Sequence, residues 1–213
     1  KVPEAMFLTA AMSLLFMFAA YELSWICFLL SPLALSIVFF YSLTKRFTWA
    51  SHLFLGLALS LAPIGAWLAV AGAKVYVNEL ATPFLLGWAV LFWLAGFDII
   101  YSLQDREFDR QQGLHSIPVR FGVAGALRLS TFCHLITIVF LALVGVMAAR
   151  GFIYWLGFAA VAIVLIWEHR IVKAHDLSRI NRAFFDYNAY VSVAYLLATL
   201  ADTIVTSDPG MLR

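Results

Sequence analysis

Gly96-Phe-Asp98-Ile-Ile-Tyr101-Ser-Leu-Gln-Asp105-Arg-Glu-Phe-Asp109 closes a long apolar run, Phe84 to Phe97. On a single helix of about 100° per residue, carboxylates at i, i+7 and i+11 fall within roughly 40° of one another. An Asp at the centre of a membrane helix costs about 2.5–3.5 kcal/mol. An acidic stripe entering a hydrocarbon-soluble segment therefore needs a partner. The natural partner for aligned aspartates is a hard divalent cation, and Mg²⁺ binds through one or two carboxylates plus the phosphates of a substrate.

Working outward, the 213 residues are 64% hydrophobic and 12% charged, against about 25% charged in soluble domains. The chain reads as an all-α, polytopic transmembrane helical bundle, a single domain over residues 1–213. A net charge of +2 gives no argument for a nucleic-acid partner. Cys27 and Cys133 sit in separate apolar runs without metal-ligand spacing and read as lone buried thiols. The opening Lys1-Val-Pro-Glu, with no methionine and no signal-peptide pattern, reads as a start inside a longer protein.

Apolar segments of spanning length run over Ala5–Ala20, Trp25–Leu43, His52–Ala71, Pro83–Leu103, Phe121–Ala149, Phe152–Trp167 and Phe184–Ala201, which predicts seven membrane helices. Pro32 and Pro63 fall inside two of them, where kinks are expected. Gly56, Ala58, Ala62, Gly65, Ala66 and Ala69 offer small surfaces for close packing. Trp25, Tyr76, Trp88, Tyr154 and Trp155 lie near helix ends and read as interfacial belts. The links Thr44–Ser51, Gln104–Arg120 and Glu168–Arg182 hold Lys45, Arg46, Arg106, Arg110, Arg120, Arg170, Lys173, Arg179 and Arg182. If the helices alternate, these links share one side, which the positive-inside rule makes cytoplasmic. The acidic stripe opens on that side.

Two further constellations lie there. Tyr41-Ser-Leu-Thr-Lys45-Arg46-Phe-Thr48 places a point charge and a fork of donors where a diphosphate could be clamped, although cations at a helix C-terminus also suit the macrodipole and anionic lipids. In the loop after Glu168, His175 and Asp176 can form a polar pair. His169 and His175, six apart, share no helix face for zinc. Asp186 and Asn188 enter the last apolar segment, where packing hydrogen bonds are the plain expectation.

Gly96-Phe-Asp98-x-x-Tyr101-x-x-x-Asp105-x-x-x-Asp109, followed by Gly113, Ser116, Ile117, Pro118 and Arg120-Phe-Gly122, resembles the second aspartate motif of the UbiA superfamily of intramembrane aromatic prenyltransferases. Tyr41-x-x-x-Lys45-Arg46-Phe-Thr48 resembles that family's Tyr-x-x-x-Lys-Arg loop. His175-Asp176 with Phe184, Phe185 and Asn188 resembles the stretch before its last helix. The pattern is closest to the 4-hydroxybenzoate polyprenyltransferase branch, including menaquinone-pathway relatives.

The resemblance implies a nine-helix bundle in which Mg²⁺, held between two aspartate motifs, assists transfer of a polyprenyl group from polyprenyl diphosphate to an aromatic acceptor. That places the protein in ubiquinone or menaquinone biosynthesis, within a lipid bilayer such as a bacterial inner membrane. Carried onto this chain, Asp98, Asp105 and Asp109 would bind metal, and Asp98 would also be a candidate catalytic base. Tyr41, Lys45, Arg46 and Tyr101 would face the diphosphate. The family's first motif, Asn-Asp-x-x-Asp-x-x-x-Asp, is absent from these residues, so the 213 residues alone are expected not to turn over substrate. Competing readings are an ion-coupled transporter using Asp98 and a catalytically inactive membrane fragment. A CDP-alcohol phosphotransferase would need an Asp-Gly-x-x-Ala-Arg type motif that the chain lacks.

Overall fold

A computed structural model describes residues 2–72 and 79–206; Lys74 and Tyr76 fall outside that range. Among the described residues the architecture is all-helical, with seven helical segments long and apolar enough to cross a bilayer. In order they are α1 (Val2–Leu23), α2 (Trp25–Thr44), α3 (Ser51–Ala71), α4 (Ala81–Tyr101), α6 (Ile117–Met147), α7 (Phe152–Ile171) and a composite last span. A short α5 (Arg106–Gln111) lies between α4 and α6. The last span joins α8 (Ile180–Arg182), a π-helical turn at Ala183–Tyr187, and α9 (Asn188–Thr206). At 1.5 Å per residue, about 20 residues cover the roughly 30 Å hydrocarbon core, so the chain is an integral, multi-pass membrane protein.

The helices end where the sequence predicts, within a few residues. Both Pro32 and Pro63 lie inside continuous helices. The Phe28 carbonyl, which Pro32 leaves without its usual amide donor, accepts instead from Ser31 Oγ at 2.8 Å. Backbone geometry leaves the helical region at Gly122 (φ 68°, ψ 178°), where a side chain would be strained.

The middle of the bundle is α4. Half of its apolar stretch is buried, against none of α1's. It packs on α3 along one side and α6 along the other, and both approaches need glycine. A methyl at Gly56 would collide with the Leu91 carbonyl, and one at Gly96 with the His134 ring. The small residues of α3 divide in use: Gly56 packs on α4, whereas Ala58, Ala62, Gly65 and Ala66 line an apolar cleft of about 870 Å³ between α1, α2 and α3.

Tyr154 departs from the expected belt. It is buried, and its hydroxyl donates to the Leu141 carbonyl at 2.6 Å. Trp25 and Trp88 remain exposed, as lipid-facing rings should. The start of α7 is capped from a distant helix, because the buried Asp202 carboxylate of α9 accepts from Gly151 N (2.9 Å) and Tyr154 N (3.1 Å). Those amides would otherwise be orphaned at the helix N-terminus.

Candidate active site

The acidic stretch does not form one continuous helix. α4 ends at Tyr101, and the next amides turn tightly: Leu103 N to Ile100 O (3.2 Å), Gln104 N to Tyr101 O (3.2 Å) and Asp105 N to Ser102 O (3.1 Å). These are three-residue steps, the tighter spacing common at helix ends. The physical reason is the loss of the apolar stripe after Leu103, while the Ser102 hydroxyl donates back to the Ile99 carbonyl at 2.9 Å. Asp105 is therefore the exposed N-cap residue of α5. Asp109 follows one turn later, its amide bonded to the Asp105 carbonyl at 2.7 Å. The single helical face expected from spacing corrects to two groups: Asp98 at the end of α4, and Asp105 with Asp109 on α5.

Asp109, which is buried, and Asp98, which is half-buried, each have a basic partner. Asp109 is 1% exposed and accepts from Lys45 Nζ at 3.0 and 3.3 Å. Lys45 sits at the end of α2, and its own carbonyl accepts from His115 N at 2.7 Å, which docks the loop after α5 onto α2. Asp98 Oδ2 lies 2.7 Å from His52 Nδ1. Tyr41, on the last turn of α2, is half-buried and within electrostatic range of Asp98. Arg46 is exposed. Tyr101 stacks at 4.1 Å between ring centroids on Phe184 of the π-helical turn, with Phe97 edge-on to the same ring.

Sequence reasoning missed His52. The available signal was a polar ring opening an apolar helix at the same end as Asp98, but the pairing is tertiary and leaves no spacing to read. Arg120 was seen only as part of a motif; its guanidinium lies 5.4 Å over Trp49 and 5.5 Å over Phe121. Gln104 Nε2 donates to Asn181 at 2.9 Å and fastens α8 to the same end. Asn188 holds a packing role, accepting from Trp93 Nε1 at 3.0 Å and donating to Phe184 O at 2.8 Å. Asp186 pairs with Arg182 at 3.6 Å on the exposed surface. Asp176 does not pair closely with His175. Its carboxylate accepts from the hydroxyl and amide of Ser178 at 2.6 and 3.0 Å, and these bonds hold its pKa below the usual value.

The donor chemistry at this end suits Mg²⁺, since Asp98, Asp105 and Asp109 offer hard carboxylate oxygens. Among the described residues no three His, Cys, Asp or Glu side chains converge into a ready cage.

A second polar cluster lies across α4. His134 Nδ1 is 2.9 Å from His169 Nε2, and His134 Nε2 is 3.3 Å from the Trp93 carbonyl. Glu168, wholly buried, has no hydrogen-bond partner on either oxygen among the described residues; His134 Nδ1 lies 3.7 Å away.

Comparison with known proteins gives a consistent answer. A family model described as the UbiA prenyltransferase family matches residues 1–192. A 4-hydroxybenzoate octaprenyltransferase from Nitrosomonas europaea is 31% identical over 209 residues, covering 96% of this chain and 68% of that protein. One from Pseudomonas aeruginosa is 32% identical over 169 residues, covering 79% of this chain and 55% of that protein. The chain thus spans from about half to about two thirds of the length of the curated relatives it matches. The apo structure of a UbiA homologue from Aeropyrum pernix K1 superposes with a TM-score of 0.85 at 32% identity, covering 95% of this chain and 74% of that one.

Proposed function

The chain belongs to the UbiA prenyltransferase family, and from that premise we propose that the protein transfers a polyprenyl group from polyprenyl diphosphate to an aromatic acceptor in quinone biosynthesis. The acceptor is 4-hydroxybenzoate or a menaquinone precursor. The observation that carries the reading is the pair of base-held carboxylates, Asp109 on Lys45 and Asp98 on His52, gathered at one end of the bundle.

The family is generally divalent-metal dependent. We assign Asp98, Asp105 and Asp109 to Mg²⁺, which would neutralise diphosphate charge and make it a better leaving group. Tyr41, Lys45, Arg46 and Tyr101 take the diphosphate side. Lys45 brings a point charge and Arg46 a fork of donors, both suited to phosphate oxygens. Asp98 is the candidate base for the proton that the acceptor ring loses. Aromatic side chains around Phe97, Tyr101 and Phe184 exclude water from the allylic carbon as its bond to oxygen breaks, and their faces favour the positive charge that develops. The apolar cleft lined by Ile37, Val38 and Phe39 ends one turn from Tyr41 and suits a hydrocarbon tail. We assign this end to the cytoplasmic side of a bacterial inner membrane, an orientation that its Lys and Arg content supports through the positive-inside rule.

The test uses the full-length gene product in vesicles, with polyprenyl diphosphate, Mg²⁺ and each acceptor class. Prenylated product with at least one acceptor is expected. No product with either, or ion flux without prenylation, would overturn the reading and favour a transporter.

A further inference from the structure

His52 opens α3 and is 1% exposed. Its two ring nitrogens meet two groups of α4 and the turn that follows it. Nδ1 lies 2.7 Å from Asp98 Oδ2, and Nε2 lies 3.5 Å from Ser102 Oγ. The Asp98 carboxylate offers only acceptors, so the short contact is an Nδ1–H donation. Ser102 directs its own proton to the Ile99 carbonyl at 2.9 Å, and at 3.5 Å from Nε2 its oxygen lies past the usual hydrogen-bond length, so the Asp98 contact alone selects the protonated ring nitrogen.

The imidazole is also held at its root. Just one turn along α3, Gly56 brings the backbones of α3 and α4 together over Leu91, and the ring itself is almost wholly enclosed. The result is a carboxylate tied at one oxygen only. Among the described residues nothing hydrogen-bonds Asp98 Oδ1, and the side chain keeps 19% of its surface open. A packing histidine would need no carboxylate, and a carboxylate serving only as its counter-charge would not keep an open oxygen.

From this geometry we infer that His52 is a positioning residue, which fixes the Asp98 carboxylate so that Oδ1 faces the reacting groups. The inference rests on the prenyltransferase reading above. His52 touches neither substrate; it acts through Asp98. Support of this kind matters because small misplacements of a reacting group cost about 10²-fold in rate.

The experiment compares H52L and H52Q with wild type in the full-length protein. Leu fills similar space without a donor, whereas the Gln amide can donate to Asp98 from the same position. The expected result is a fall in kcat of about 10²-fold for H52L, with the KM for polyprenyl diphosphate within a few-fold of wild type, and recovery of most of that loss in H52Q. The double variant H52L/D98N should be no slower than D98N, since both changes remove one coupled unit. Independently of turnover, ¹⁵N NMR of histidine-labelled protein should show one Nδ1–H tautomer whose signal shifts in D98A. Unchanged kcat in a folded H52L, additive losses in the double variant, or no tautomer signal sensitive to D98A would each overturn the inference. Equal losses in H52L and H52Q that follow thermal stability would reduce His52 to a packing residue. If wild type itself makes no product, the reaction assignment fails and this inference with it; an active wild type with an indifferent H52L defeats the inference alone.

Discussion

The two sides of α4 are flanked by carboxyl groups under opposite conditions. On the side toward α3, Asp98 of α4 and Asp109 of the neighbouring α5 each meet a nitrogen base within 3.0 Å. On the side toward α6, Glu168 of α7 has no hydrogen-bond partner among the described residues, and the nearest imidazole, His134, is already engaged by His169 and the Trp93 carbonyl. Burying a charge is costly unless it is paired and hydrogen-bonded. The difference separates a place where each carboxylate is held by a basic partner from one where a carboxyl is tolerated by the packing around it. Burial alone would have ranked Glu168 first; the partners decide otherwise.

The largest expected effect falls on the first face. Lys45→Met removes the cation beside Asp109 and one proposed diphosphate donor. It should lower kcat/KM for polyprenyl diphosphate by about 10²-fold or more, as for loss of a buried charge-assisted contact of roughly 2–5 kcal/mol. Steady-state kinetics of the full-length protein checks this, and a kcat/KM within a few-fold of wild type would remove Lys45 from the site.

The second effect falls on the other face and has the opposite sign for stability. Glu168→Leu should raise unfolding free energy by about 1–3 kcal/mol, the usual cost of a buried unsatisfied polar group, and leave turnover within a few-fold. Thermal unfolding in detergent reads the first and product formation the second. A destabilised, inactive Glu168→Leu would show that this carboxyl has a role after all.

Asp202→Ala sharpens the comparison with a carboxylate whose task is structural. It should cost about 0.5–2 kcal/mol, the value of a helix cap, with little change in kcat. A Tm equal to wild type would contradict the capping account.

The smallest effect is at the exposed loop. The folded pKa of Asp176 is depressed by its bonds from Ser178, so the stability these bonds contribute is present above the unfolded value, about 3.9, and is lost as pH falls through the lower folded value. Protection of the Ser178 amide, measured as exchange relative to its intrinsic rate at each pH, should therefore persist at neutral pH and fall only in acid. Asp176→Asn should lower it at neutral pH.

How much the sequence could tell follows from where each signal is stored. Helix spans are written in long apolar runs, so α2 and α3 come out within a residue or two. Lys45 and Asp109, and with them the end of the bundle proposed to carry the chemistry, are legible as charges flanking such runs. The break after Tyr101 is not, because neither Gly nor Pro marks it and periodicity carries the eye across. The His52–Asp98 pair and the His134–His169–Glu168 cluster join residues 46 and about 35 positions apart, and nothing local records such distances. Tyr154 was misplaced because an aromatic near a helix end looks the same whether its hydroxyl finds lipid headgroups or a buried carbonyl.

The account stands most directly on the metal dependence of turnover by Asp105→Asn and Asp109→Asn in the full-length protein, each measured across a range of Mg²⁺ concentrations after folding has been confirmed. If these carboxylates position Mg²⁺ against the diphosphate, both variants should lose about 10²–10³ in rate, the scale of one lost transition-state contact, and should need more Mg²⁺ to reach half-maximal turnover. Near-normal rates with an unchanged Mg²⁺ dependence in both variants would contradict the account and return the acidic stretch to an ordinary solvated helix end.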